Sequence, residues 1–402
     1  LFNFDAAPFL TKYTGDMRDD QTPDGRFTDI APHTHLSGTT ICVGSPGWAD
    51  AGVFLPWQVY VNTGDKRLLA EQFTAAKRWV DVIHASNPDL LWRNNRGMDW
   101  GDWLSAGTPT PKELGSTAFF AHSADLLSRM AQALGRKEEA ERYRALFQGI
   151  RQAFVKHYVS PAGIIGSLPS GNDNDFGDTQ GSYALALKFG LLDEPLRSLA
   201  AKRMDELVIK NGHHPTTGFW SSIELLLALS NNGYNADAAE MVNQRTEPSW
   251  GYMAGYNTTM WESFNATTQN LSLNHWTHSA VSEWLWRNVA GLNPDEQHPG
   301  YQSFTIHPRP TGEVTWCKAS YDSIRGEIVS DWKCDGNKFT LTVTIPANTT
   351  ATVYLPAKDV QSVTENGNPA EEVEGVKFLR QENDRVVLRV GSGNYLFVSK
   401  PK

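Results

Sequence analysis

The stretch TTMWESFN (258–265) holds one charged residue, Glu262, and between Glu247 and Glu283 the chain has no Lys, Arg, Asp or other Glu. The same interval passes Trp250, Tyr252, Tyr256, Trp261, Phe264, His275 and Trp276. A surface Glu on a helix ordinarily meets a Lys or Arg three or four residues away; Glu262 meets aromatic rings. A carboxylate buried without a cation is costly, so it is either pushed toward its neutral form or solvated by polar side chains and water. Both states suit a general base or acid in a cleft. A helix cap or a pairing with a distant Arg is the structural alternative.

Further clusters have related chemistry. SPGWADAG (45–52) holds Trp48 and Asp50, and RGMDWGDWLSAG (96–107) packs Asp99, Trp100, Asp102 and Trp103 into one loop. TTGFW (216–220) ends in Trp220, and LSLNHWTH (271–278) carries His275. Trp interleaved with carboxylates and amides suits a ligand with flat apolar faces and hydrogen-bonding edges, as sugars have, although large proteins also bury many of their Trp residues. Asp50 could equally be a plain helix N-cap, and His275 a satisfied core histidine. The His residues show no HxH or HExxH spacing, and NDNDFGD (172–178) lacks the spacing of a twelve-residue calcium loop. It reads as an Asx-rich loop before a helix, so neither metal nor cofactor is expected.

Composition narrows the partner. A net charge of −9 over 402 residues argues against nucleic acid or an anionic membrane surface, both of which need a basic face. No apolar run approaches the roughly 18 residues of a membrane span. Three cysteines, Cys42, Cys317 and Cys334, without CxxC spacing indicate neither zinc nor a disulfide framework, though Cys317 and Cys334 could pair if their strands are neighbours. The start LFNFDAAPFL has no signal-peptide pattern, and any export signal would lie upstream. The compartment stays open, with a secreted or periplasmic setting favoured.

The elements that position these clusters alternate in texture. DAGVFLPWQVYVNTGD (50–65), STAFFAHSADLLSRMAQALG (116–135), TQGSYALALKFGLL (179–192) and GFWSSIELLLALS (218–230) are small or apolar nearly all round. Each is followed by a segment charged on one face, at 66–85, 135–158, 194–210 and 235–245. Pairs of inner and outer helices predict an all-α (α/α)6 toroid over residues 1–292, with ten helical segments and its start incomplete. The site is expected where loops converge on the inner helices. A Pro- and Gly-rich stretch (293–312) then leads to short Val-, Thr- and Ile-rich runs with turn signals, which predict an antiparallel β-sandwich over 293–402 with a structural role.

The series SPGWADAGVFLPWQVYVNTGD, GDW (101–103), STAFFAHSADLLSRMAQALG, DTQGSYALALKFGLL, TGF, PSWGYM (248–253), TTMWESF and SLNHWTHSAVSEWLWR resembles the α-L-rhamnosidases of glycoside hydrolase family 78 over nearly the whole chain. The resemblance implies inverting hydrolysis of terminal α-L-rhamnosyl residues, with Glu262 as general base and His275 touching the sugar. Trp48, Asp102, Trp103 and Trp220 match its pocket-lining positions, and Asp50, Asp99, Trp100 and Trp261 join them as candidate substrate contacts from the clusters themselves. It also implies a general acid, a Glu in a loop ending Gly-Trp-Thr-Gly-Asp shortly before the segment equivalent to LFNFDAAPFL. No such loop occurs: RDDQ (18–21) lies on the helix after that segment, and NTGDKR (62–67) is a turn between helices. The expectation is a chain that starts downstream of its acid, has little or no activity alone, and has the missing upstream domains as a partner. Another (α/α)6 glycosidase or polysaccharide lyase, and a noncatalytic carbohydrate-binding protein, are the rival readings.

Overall fold

The computed structural model describes residues 2–33, 42–166 and 177–401, so most of NDNDFGD lies outside the described residues. Two compact units are present, one comprising Pro8–Trp57 and Lys66–Val281, the other Leu1–Ala7, Gln58–Asp65 and Ser282–Lys402.

The helices are α1 (Ala7–Asp19), α2 (Ala51–Thr63), α3 (Lys66–Ser86), α4 (Lys112–Ala133), α5 (Lys137–Tyr158), α6 (Gln180–Lys188), α7 (Leu196–Lys210), α8 (Phe219–Asn231), α9 (Asn235–Asn243) and α10 (Trp250–Tyr256). Three single turns follow, α11 (Ala266–Gln269), α12 (Trp276–Ser279) and α13 (Val281–Trp284). The expected alternation is present. In α4 burial runs all round the helix, with Ser116, Thr117, Ala118, Phe119, Phe120 and Ala121 buried in succession. In α5 it is confined to Ala140, Tyr143, Phe147, Ile150, Phe154 and Tyr158, one stripe at steps of three and four. A three-residue connection makes the two antiparallel. Burial of each large side chain on that stripe contributes about 1.5–3 kcal/mol. α6 and α7, and α8 and α9, repeat the arrangement, with α6 packed on α8. No helix among the described residues is long and apolar enough to cross a membrane.

The second unit is a sandwich of two sheets, ordered β1-β2-β6-β10-β9 and β3-β4-β5-β11-β7-β8. Its strands are β1 (Leu292–Pro294), β2 (Ser303–Ile306), β3 (Trp316–Ser323), β4 (Gly326–Asp335), β5 (Lys338–Ile345), β6 (Thr350–Pro356), β7 (Thr364–Glu365), β8 (Asn368–Pro369), β9 (Val376–Glu382), β10 (Arg385–Val390) and β11 (Gly393–Ser399). All pairs are antiparallel except β2 with β6. Period-two burial in β5, with Phe339, Leu341, Val343 and Ile345 inside, sets which face meets the core. The three cysteines are free. β3 and β4 are neighbours, but Cys317 lies opposite Trp332, so Cys334 is two positions out of register. Diagonal neighbours stand roughly 7–8 Å apart, beyond the usual reach of a disulfide.

Outside the aromatic loops, α7 and α9 hold a like-charge pair. Asp205 lies beside Asp237, and burial together with that neighbouring charge raises its carboxyl to about 6. Asp237 is held in turn by His213 Nε2 (3.0 Å). A folded-state pKa raised above the unfolded value near 3.9 means that folding takes up a proton, so stability falls as pH rises from about 4 to about 6. Asp205→Asn removes the charge. Its melting temperature should exceed that of the parent above pH 6, with the gap closing toward pH 4 in thermal scans.

Candidate active site

The loop carrying Asp99–Trp103 is tied to the start of α8. Gly218 precedes that helix and has no side chain with which to cap it, and a Cβ there would come within 2.4 Å of the Asp102 and Trp103 carbonyl oxygens. The cap comes instead from across the fold. Asp102 Oδ1 accepts Trp220 N–H (3.0 Å) and Ser221 N–H (3.2 Å), and Oδ2 accepts Ser221 Oγ–H (2.5 Å) and Thr110 Oγ1–H (2.8 Å). Phe219 N–H donates to Trp103 O (2.9 Å). Orphan amides in the first turn of a helix and the positive end of its dipole both favour a carboxylate. Burial pushes the Asp102 carboxyl above its ordinary value, while the donors pull it back.

Asp50 plays a comparable part at the mouth of α2. It has no exposed surface and accepts Gly47 N–H (2.8 Å), Trp79 Nε1–H of α3 (2.9 Å) and Ser123 Oγ–H of α4 (2.6 Å). It is therefore more than a local N-cap, because it fastens two further helices. Burial raises its carboxyl against these three donors.

On this frame the aromatic rings form a row. Trp103, 40% exposed, meets Trp100 edge-on at 5.5 Å, and Trp100 lies 6.4 Å from Trp48. Trp48 stacks on Phe219 at 6.2 Å, and Phe219 lies 5.4 Å from His275, which stacks on Trp276 at 5.6 Å. Trp100 is steered by its indole N–H, which donates to Asp29 Oδ2 (3.0 Å), while Asp29 Oδ1 accepts Ser45 N–H (2.9 Å).

Glu262 is joined to this row through the backbone. Glu262 N–H donates to Ser272 O (2.9 Å) and His275 N–H to Met260 O (2.8 Å), so segments 260–262 and 272–275 run side by side. The half-buried Glu262 carboxylate accepts one bond, from Ser272 N–H (3.2 Å), and among the described residues no ion pair engages it. The distant-Arg alternative is not realised among them. His275 Nδ1 accepts Thr277 N–H (3.3 Å), which caps α12 and leaves the proton of the neutral ring on Nε2, as a donor.

Several expected pocket residues take a different place. Trp220 is 4% exposed; its indole N–H donates to Pro46 O (3.0 Å) and its ring fills the space over Gly47 and Gly115, where a Cβ would come within 2.4 Å of it. Trp261 has no exposed surface and meets Tyr252 and Tyr256 edge-on at 5.8 and 5.2 Å. Asp50 and Asp102 are buried with their lone pairs occupied. These four support the row rather than line it. Asp99 is paired with Arg96 (3.0 Å) and burial raises its carboxyl, so it is committed to a cation. Phe219 and Asp29 escaped the sequence reading. Successive helical residues point about 100° apart, so TGFW could have warned that only one of its two rings faces the row; Asp29 carried no local signal.

Paired inner and outer helices of this kind are the architecture of a six-hairpin glycosidase domain. The chain belongs to the bacterial α-L-rhamnosidase family: residues 1–289 match its six-hairpin glycosidase domain and residues 291–369 its C-terminal domain. An α-L-rhamnosidase of Streptomyces avermitilis is 37% identical over 406 residues, an alignment that takes in 98% of this chain and 36% of that protein. A crystal structure of the S. avermitilis α-L-rhamnosidase complexed with L-rhamnose superposes with a TM-score of 0.89 at 36% identity, covering 99% of this chain and 37% of that one. The structure of an α-L-rhamnosidase from Dictyoglumus thermophilum superposes with a TM-score of 0.86 at 29% identity, covering 99% and 44%. The chain thus spans about a third of the length of the curated relative.

The cap supplied by Asp102 has a measurable worth. Asp102→Ala strands two amides and two hydroxyls in a buried place, and stability should fall by about 2–4 kcal/mol, given roughly 1–3 kcal/mol for each buried group left without a partner and partial relaxation. Urea unfolding would read this, and a loss below about 1 kcal/mol would deny Asp102 that role.

Proposed function

We propose that this chain serves in the removal of terminal α-L-rhamnosyl residues from rhamnosides or rhamnose-containing polysaccharides by inverting hydrolysis, and that it supplies the general base, Glu262. The supporting observation is a half-buried carboxylate beside His275 and a row of aromatic rings, in a member of the bacterial α-L-rhamnosidase family. No ion pair engages it among the described residues. A cation beside Glu262 would hold it ionised and lower its basicity; polar contacts leave it able to accept a proton from water. His275 Nε2–H donates to a sugar hydroxyl, and the faces of Trp48, Trp100 and Trp103, with Phe219, cover the apolar ring face and C6 methyl of the deoxy sugar.

In the reaction, water attacks the anomeric carbon from the Glu262 side and passes its proton to Glu262. The glycosidic bond breaks on the opposite face, where a carboxylic acid about 6.5–9.5 Å away protonates the leaving oxygen. Asp50 and Asp102 are unsuited to that acid role, since each is buried with its oxygens engaged by donors inside the fold. In this reading residues 1–292 form the catalytic barrel and 293–402 a supporting β-sandwich.

2,4-Dinitrophenyl α-L-rhamnoside leaves without needing a proton, so it isolates the base. Glu262→Gln should lower kcat on it by about 10²-fold or more, within the range of a general base. Nuclear magnetic resonance of the parent reaction should show β-L-rhamnose first. A loss under about tenfold, or α-L-rhamnose as first product, would reject the assignment.

A further inference from the structure

The peptide plane joining Trp261 to Glu262 is gripped from both sides. Its N–H donates to Ser272 O (2.9 Å), and its carbonyl oxygen lies 2.9 Å from His278 Nδ1. A carbonyl only accepts, so Nδ1 carries the proton and, in the neutral ring, Nε2 is a bare acceptor. His278 is 1% exposed, its ring set against Phe264 at 4.0 Å, and Trp250 Nε1–H donates to its carbonyl (3.0 Å). Burial lowers its pKa to about 4, so the ring stays neutral above that pH and the tautomer does not change.

The other nitrogen is the informative one. His278 Nε2 is buried and has no hydrogen-bond partner among the described residues. A buried acceptor left open is a standing cost that a Phe, equally able to pack on Phe264, would avoid. Packing alone therefore does not account for a histidine here; its Nδ1–H does.

We propose that His278 is a positioning residue for Glu262, fixing the tilt of the peptide plane from which the carboxylate projects. The proposal rests on the reading of Glu262 as the base. With its plane held by His278 and Ser272 O, and with Ser272 N–H the one hydrogen-bond donor to its carboxylate among the described residues, Glu262 is aimed by its backbone rather than by an ion pair. A reacting group misplaced by about 1 Å can lose on the order of 10² in rate.

Three substitutions separate the roles. Asn places an N–H near the His Nδ1 position, Gln places one near Nε2, and Phe keeps the ring without either. On 2,4-dinitrophenyl α-L-rhamnoside, His278→Phe and His278→Gln should lower kcat roughly 10- to 100-fold with KM within about twofold, while His278→Asn should keep kcat within about threefold of the parent. Amide hydrogen exchange of Glu262, which does not depend on turnover, should quicken in the Phe variant and stay near the parent in the Asn variant. Unchanged exchange in the Phe variant, or equal kcat in the Asn and Phe variants, would overturn the proposal. Failure of the underlying reading looks different: Glu262→Gln would then match the parent in rate.

Discussion

The candidate site depends on a buried carboxylate whose oxygens are engaged inside the fold. Asp102 closes the first turn of α8 because Gly218, hemmed in by the Asp102 and Trp103 carbonyls, has no room for a side chain that could do so. One group thereby fixes the loop with Trp100 and Trp103, the entry of Phe219 beside Trp48, and the wall made by Trp220. Asp50 repeats the device at α2, α3 and α4. Both use burial to gain rigidity, and the cost is offset because each carboxylate oxygen finds at least one donor.

Glu262 follows the opposite rule. The structural carboxylates are wrapped in three or four donors, whereas this one accepts a single amide and no ion pair holds it among the described residues. The carboxylates of one fold thus differ in the number of hydrogen bonds offered to them. The same economy governs the histidines: Thr277 fixes the tautomer of His275 through its Nδ1, and the Trp261 carbonyl fixes that of His278 through its own.

The sequence reading reached the alternation of inner and outer helices and the β-sandwich because both rest on periodic burial, which a single chain displays openly. It also grouped Trp48, Trp100, Trp103, Glu262 and His275, which are rich in chemistry and sit in loops entering helices. What it does not reach is the orientation of each side chain. Trp220 and Phe219 are adjacent, and only the three-dimensional path of α8 determines which one joins the row. Trp261 looked like a partner of Glu262 but turns inward against Tyr252 and Tyr256. The tie of Asp102 to Trp220, 118 residues away, leaves no local trace in the sequence.

The sandwich unit is assembled from three stretches of chain, Leu1–Ala7, Gln58–Asp65 and Ser282–Lys402. Gly300 N–H closes on Val61 O (2.8 Å), and Tyr301 Oη–H on Asn62 Oδ1 (3.2 Å), contacts that span more than two hundred residues. During synthesis the stretch near Asn62 leaves the ribosome long before its partners exist. At about 5–20 residues per second it waits on the order of ten seconds or more, with its apolar face open to whatever else is at hand. Nascent protein of this kind has reason to depend on a holding chaperone, and its two units cannot be exchanged between genes by a single crossover.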